Sequence, residues 1–352
     1  MAVAAYIYDM KKWILPVLLL CFSTSAMTQE LTGRDIRKVA EFHGVQVTGV
    51  AVSQKGRVFA CFPRWRDGVP YSLLEVMPDG KHKAYPDHER NTWTIGDEIN
   101  GRFVCIQSIL VHNEKLYVLE TSNPMFKGMI AQPKIFVFDL NADTLWKTYT
   151  FPTKVLSTKS YVNDLQVDDK KKKIYLTDSG YPGLIIIDMV KETYTRVLDN
   201  HPITKAETGG LTINGNAWTN TVHSDGIAFD RKNDILYLHA LTGYSLYGIP
   251  TADLLDSARL SKFKPVSVKT PAPDGMVMDD AGNLYMADLE NHKIVYLGPD
   301  RKDVKTFWEG DPISWADSFA IHDGYLYFTN SRIHEAGEDV SGMGFSIYKI
   351  KL

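Results

Sequence analysis

Apolar residues in this chain fall mostly in short runs separated by turns rich in Gly, Asn, Asp and Lys. The clearest example is Pro273–Asp288, PDGMVMDDAGNLYMAD. It holds a polar or acidic residue, a short apolar strand, a turn and a second strand. The pattern recurs at VTGVAVS from Val47, IQSILVH from Ile106, VNDLQVD from Val162, SDGIAFD from Ser224, PDGMVMD from Pro273 and ADSFAIH from Ala316. A second run follows ten to twelve residues after each start: VFACF, LYVLE, IYLTD, LYLHA, LYMAD and LYFTN. The starts are 59, 56, 62, 49 and 43 residues apart. Units of this size with variable loops predict four-stranded blades.

Third and fourth strands are expected at Lys134–Leu140 with Thr144–Phe151, Leu184–Met189 with Thr193–Leu198, and Lys293–Leu297 with Val304–Trp308. The sixth unit ends after Phe345–Ile350, one strand short. Arg37–Phe42, which has no repeat of its own, is the natural donor of the missing strand. Such closure removes two unpaired sheet edges. The predicted class is therefore all-β: a six-bladed propeller closed by its N- and C-terminal strands. Helical periodicity is confined to Leu31–Phe42 and Thr251–Leu260. Two long loops, Tyr85–Arg102 and Asn200–Val222, are expected to be binding lids or plain surface insertions.

In a propeller the innermost strands surround a central channel. The second residue of each window gives the series Thr48, Gln107, Asn163, Asp225, Asp274 and Asp317. These residues are expected to ring the channel mouth. Carboxylates brought together must bind a cation, share protons or find hydrogen bonds. An oxygen set of Asn163, Asp225 and Asp274 suits Ca²⁺ or Mg²⁺. His223 is a candidate ligand or proton carrier beside Asp225. The competing reading is that each Asp or Asn fixes a local turn by accepting backbone amides. His239, inside LYLHA, is expected to be a packed histidine, and His322 and His334 lack metal-ligand spacing. No nucleophile elbow, phosphate-cradling glycine loop or HExxH occurs.

Composition narrows the partners. With 39 basic and 42 acidic residues there is no basic stripe, which argues against nucleic acid. Lys170–Lys173 fall between two strand-like runs and are expected in a solvated turn. At the N-terminus, Lys11 and Lys12 precede an apolar run, Trp13–Phe22, then small residues to Ala26. This predicts an export signal over residues 1–26, cleaved after Ala26, with Met10 the more natural start and 27–352 a single domain. The run is too short for a membrane span. Leu20 before Cys21 disfavours a lipoprotein site, so release into a secreted or periplasmic setting is expected. Cys61 and Cys105 then remain, either as a disulfide or as two small apolar strand residues.

From Arg57, the stretch RVFACFPRWRDGVPYSLLEV resembles the major royal jelly/Yellow family, through Pro63, Arg64, Trp65, Gly68 and Pro70. The likeness continues through QSILVHNEKLYVLETS, PKIFVFDL, VNDLQVD and Asp225–Leu255, and ends at TNSRI. It implies a secreted six-bladed propeller that converts dopachrome-like indole quinones or binds small amines in its channel. No catalytic set transfers residue by residue. Ala131 and Gln132 stand where a cysteine often precedes the proline, so the insect disulfide arrangement does not carry over.

NDLQVD and PDGMVMDDAGNLYMAD also resemble motifs of senescence-marker-protein/gluconolactonase propellers. That likeness implies Asn163 and Asp274 as ligands of a divalent cation, with Asp274 serving lactone hydrolysis. Asp225 stands where that family has another Asn, and Thr48 where it has a ligand Glu. Three readings follow. The first is a Yellow-like propeller binding and isomerising a small aromatic or amine-bearing molecule, with Asp225, Asp274 and His223 as acid and base. The second is a metal-dependent lactonase, and the third is a non-catalytic ligand-binding propeller.

Overall fold

The computed structural model describes residues 35–263 and 265–352. The expected export signal, with Met10 and Cys21, lies outside the described residues.

Each window and the run after it form the two inner strands of a four-stranded antiparallel sheet. Blade 1 is Gly49–Val52, Val58–Cys61, Leu73–Val76 and His82–Ala84. Blade 2 is Ile106–His112, Lys115–Glu120, Lys134–Asp139 and Thr144–Thr150. Blade 3 is Val162–Asp168, Lys173–Asp178, Gly183–Asp188 and Thr193–Val197. Blade 4 is Ser224–Asp230, Ile235–Ala240, Ser245–Pro250 and Val266–Lys269. Blade 5 is Met276–Met278, Leu284–Asp288, Lys293–Leu297 and Val304–Glu309. Blade 6 takes Ala316–His322, Tyr325–Asn330 and Gly344–Lys351 from the C-terminal end of the chain. Its outermost strand, Ile36–His43, comes from the other end.

Ile36–His43 is thus strand, although its apolar spacing also suits a helix. It pairs antiparallel with Gly344–Lys351, setting Phe42 opposite Phe345 and Ile36 opposite Ile350. Thr251–Leu254 and Ser257–Leu260 are short helices, as their periodicity predicts. Of the long loops, 85–102 carries a one-turn helix, His88–Asn91. The other, 200–222, folds into a hairpin of Leu211–Ile213 and Asn216–Trp218.

Apolar alternation along the strands puts side chains between neighbouring blades, where the core forms. Between blades 1 and 2 sit Phe59, Phe103, Phe136 and Phe138, all at most 5% exposed. Between blades 2 and 3 sit Leu119, Ile135, Leu165 and Ile174, all at most 1% exposed. Burying each such side chain contributes roughly 1.5–3 kcal/mol.

The inner strands carry a feature that the repeats do not announce. Registers slip between Ile106 and Ser108, Val162 and Leu165, Ser224 and Ile227, and Ala316 and Phe319. A bulge leaves residues unpaired and re-aims their side chains. Threonines on the second strands hold these bulges and tie blades together. Thr177 Oγ1 accepts from Asp164 N at 3.2 Å and donates to Asp225 O at 2.8 Å. Thr329 Oγ1 does the same for Ser318 N at 3.0 Å and Thr48 O at 2.8 Å.

Candidate functional site

One end of the ring opens onto a cavity of about 810 Å³. Gln107, Asn163, Asp225, Asp274 and Asp317 all line it, brought there from five blades. Thr48, the sixth expected ring member, does not line it. Its side chain is buried with the hydroxyl 3.8 Å from Cys61 Sγ, and Gln46 faces the cavity in blade 1. Blade 1 pairs in regular register from Gly49 to Val52, and the Thr48 side chain packs toward Cys61 on its second strand.

His223 is also absent from the lining. Its Nδ1 accepts from the Ala206 amide at 3.1 Å. The histidine that faces the cavity is His334, stacked on Trp315 with ring centroids 5.7 Å apart. His334 Nδ1 is buried without a hydrogen-bond partner among the described residues. His239 is fully buried between Ala240 O at 2.6 Å and Thr270 Oγ1 at 2.8 Å, a packed histidine as expected.

Two roles for acids separate cleanly. Those ending strands fix turns: Asp168, Asp188 and Asp230 accept amides two or three residues ahead. Those at the mouth bond side chains instead. Asp274 Oδ2 accepts from Trp315 Nε1 at 2.6 Å. Asp225 is hydrogen-bonded to the Asn163 side chain, and Asp317 Oδ2 is buried without a partner among the described residues.

The electrostatics follow from burial. Desolvation raises all three mouth carboxyls. It takes Asp274 to about 7, against relief from the Trp315 N–H. Asp225 is raised well above the usual carboxylate range by burial, then by repulsion from Asp274 and Asp164. Asp317 is raised by burial, then by repulsion from Asp274 and Asp225. Asp164, one residue beyond Asn163, adds a fourth acid deeper in the channel. Burial pushes it to about 6, and Ser108 Oγ donates to it at 2.6 Å. Among the described residues none of these four pairs with a lysine or arginine.

The walls are aromatic: Trp65, Phe126, Tyr161, Trp218 and Trp315. The Phe126 ring lies against both Trp65 and Tyr161, with centroids 5.4 Å apart in each case. Phe126 is 60% exposed, and its loop holds Ser122, Met125 and Phe126 at left-handed φ of 51°, 56° and 54°. Such backbone costs energy and clusters at binding sites. The hairpin loop supplies Trp218, Asn220, Thr221 and Val222, so one of the two long loops is part of the site. The other contributes none of the lining.

Sequence reasoning missed these walls, although a signal was present. Tyr161 and Trp315 each stand one residue before a window. The polar residue closing the following second strand clamps them: Asp178 Oδ1 accepts from Tyr161 N at 2.9 Å, and Asn330 Oδ1 from Trp315 N at 2.9 Å.

Two of the oxygens expected to hold a divalent cation accept hydrogen bonds from neighbouring side chains. Asn163 Oδ1 accepts from Gln107 Nε2 at 2.6 Å, and Asp274 Oδ2 from the Trp315 indole. Among the described residues no group of three His, Cys, Asp or Glu is arranged to hold a metal ion. Cys61 and Cys105 are both free and buried, which selects the apolar-residue reading over the disulfide.

A family model described as major royal jelly protein matches residues 111–343. The yellow proteins of Drosophila yakuba and Drosophila melanogaster are each 28% identical over 143 residues, which cover 37% of this chain and 26% of the relative. The match therefore spans about a quarter of those relatives' length. Among solved structures, a luciferin-regenerating enzyme superposes with a TM-score of 0.59 at 13% identity, covering 91% of this chain and 96% of that one. A gluconolactonase from Xanthomonas campestris gives 0.56 at 13%, covering 93% and 92%. A virginiamycin B lyase from Staphylococcus aureus gives 0.53 at 12%, covering 91% and 99%. At such identities these likenesses speak for the propeller fold alone. With its six blades closed by the two chain ends and the family pattern matched from blade 2 into blade 6, the chain belongs to the major royal jelly protein family.

Proposed function

We propose that this propeller binds a small aromatic amine in the channel-mouth cavity and isomerises substrates of the indole-quinone type there. The observation that carries the reading is the placement of Asp225, Asp274 and Asp317. They sit buried beneath aromatic walls with no lysine or arginine paired to them among the described residues. An organic ammonium would supply the missing positive charge, while its ring stacks on Trp65, Tyr161 or Trp218.

The same groups suit proton transfer. A tautomerisation needs one group to take a carbon-bound proton and another to return it. Asp274, raised by burial to about 7, exchanges a proton near neutrality. Asp225 is the second carboxyl, and His334 takes the imidazole role that the sequence assigns to His223. The export signal expected in residues 1–26 supports action outside the cytoplasm. Among the described residues no helix is long and apolar enough to cross a membrane.

Calorimetric titration with tyramine, alongside the absorbance decay of dopachrome, tests both halves. Saturable tyramine binding weakened in Asp225→Asn supports the binding half. Decay no faster than in buffer sinks the isomerase half and leaves a carrier. No tyramine uptake between pH 6 and 8 overturns the reading as a whole.

A further inference from the structure

The hairpin that walls the cavity is gripped by blade 5. Leu211–Ile213 and Asn216–Trp218 pair antiparallel over three residue pairs, with Leu211 opposite Trp218. A two-stranded ribbon this short has little stability of its own. Leu211 and Ile213 are buried in one cluster with Leu289 and Trp315, whereas Asn216 and Ala217 are exposed and Trp218 is half-buried. The strand carrying Trp218 is therefore placed by the strand beside it. A turn between the second and third strands of blade 5 grips that neighbour twice. Glu290 Oε1 accepts from the Thr212 amide at 2.8 Å, and His292 Nε2 lies 2.7 Å from Asn214 Oδ1. Both gripping side chains are braced in turn. Tyr244 Oη donates to Glu290 Oε2 at 3.1 Å, and His292 Nδ1 is 2.9 Å from Ser314 O. Apolar packing sets how deep the hairpin sits but has no direction. A carboxylate on a backbone N–H is directional and charge-assisted. Through the hairpin it sets Trp218, whose ring meets Trp315 edge-on in the cavity wall with centroids 5.0 Å apart. Glu290 itself is not part of the lining.

We propose that Glu290 is a positioning residue: by holding the Leu211–Trp218 hairpin against blade 5 it fixes the Trp218 ring at the channel mouth, and so makes the site prefer aromatic amines to aliphatic ones. The preference rests on the function proposed above, whereas the hold on Trp218 does not. The ammonium group is met by Asp225, Asp274 and Asp317, which come from the inner ends of blades 4, 5 and 6 and not from the hairpin. A ligand ring gains from an aromatic wall only in offset-stacked or edge-to-face geometry, which is lost when the wall ring tilts or retreats. Loss of Glu290 therefore acts on the ring of the ligand and spares its charge. Glu290→Gln keeps both contacts: the amide oxygen accepts from Thr212 N, and the NH₂ donates to Tyr244 Oη, a hydroxyl that serves either way. The hold is thus a matter of shape and not of charge.

Two measurements test it. In protein labelled with 5-fluorotryptophan, the chain's seven tryptophans are followed by ¹⁹F NMR, and the Trp218 signal is the one missing from Trp218→Phe. Without ligand, that signal should move or broaden in Glu290→Ala and return to its wild-type place in Glu290→Gln, with both variants melting close to wild type. Calorimetric titration with tyramine, and with ethylamine by displacement of tyramine, reads the preference. In Glu290→Ala, tyramine affinity should fall about fivefold, the scale of one aromatic contact, while ethylamine affinity stays within about twofold of wild type. Glu290→Gln should restore tyramine binding. An unmoved Trp218 signal in folded Glu290→Ala overturns the proposal, as does a signal that Glu290→Gln fails to restore. An equal loss for both amines overturns it too, because the whole site would then be deformed. If wild type takes up no tyramine, the function proposed above falls, and a Trp218 signal displaced in Glu290→Ala and restored in Glu290→Gln still upholds the hold on Trp218.

Discussion

Trp315 Nε1 lies 2.6 Å from Asp274 Oδ2, and the indole is fully buried while the carboxyl is 7% exposed. The two residues come from the junctions leading into blades 6 and 5, so their contact crosses between blades. A donor-only group aimed at a buried acid favours its ionised form. Trp315→Phe keeps the ring area and removes that donor. Asp274 should then stay protonated to higher pH, and tyramine affinity at pH 7 should fall about tenfold. Titration calorimetry across pH 5–8 checks both.

Stability should depend on pH through the same acid. Burial raises Asp274 from 3.8 to about 7, so the fold binds a proton that the unfolded chain releases. Its contribution is complete below pH 3.8 and is lost as pH rises to about 7. Wild type without ligand should therefore melt at a lower temperature at pH 8 than at pH 5. Asp274→Asn, which never ionises, should gain about 1–3 kcal/mol over wild type at pH 8.

Ligand binding should show the opposite slope. An ammonium ion favours ionised carboxyls, so binding displaces protons from Asp274 and its neighbours. Tyramine affinity is expected to rise between pH 5 and 7.5. Heats measured in two buffers of different ionisation enthalpy should reveal proton release.

Arg64, next to Trp65, is structural. Its guanidinium is 2% exposed and donates to Asn91 O at 2.7 Å, Phe103 O at 2.6 Å and Val104 O at 3.1 Å, and to the Ser72 hydroxyl. Arg64→Ala should cost about 3–5 kcal/mol by leaving three carbonyls unpaired in the interior. Urea denaturation would measure it. Phe126→Ala is the contrast: its ring is largely exposed, so ligand affinity should drop while the melting temperature holds.

Ring closure gives a separate test. Phe42 is 2% exposed and packs edge-on to Phe62 with centroids 4.8 Å apart. Phe42→Ala should destabilise the protein by about 3–5 kcal/mol. Deleting residues through His43 should leave Gly344–Lys351 as an open edge and cause association, visible by light scattering.

The alternation of apolar residues, read with the polar or acidic second residue of each of the six windows, was enough to specify the blades, their order and the swap of Ile36–His43 into blade 6. These features are legible because strand burial has a period of two and because an unpaired edge is costly. The same register named five of the residues that share the cavity. It erred at Thr48, whose side chain packs toward Cys61 while Gln46, two residues earlier, faces the cavity, a local difference that window spelling does not encode. It chose His223 over His334, since proximity along the chain says nothing about which loop folds back over Trp315. The partner of Asn163 was likewise beyond the sequence: Gln107, 56 residues earlier, donates to its Oδ1 at 2.6 Å. Only the closed ring sets those two side chains side by side, because neighbouring blades bring together positions that the chain keeps far apart.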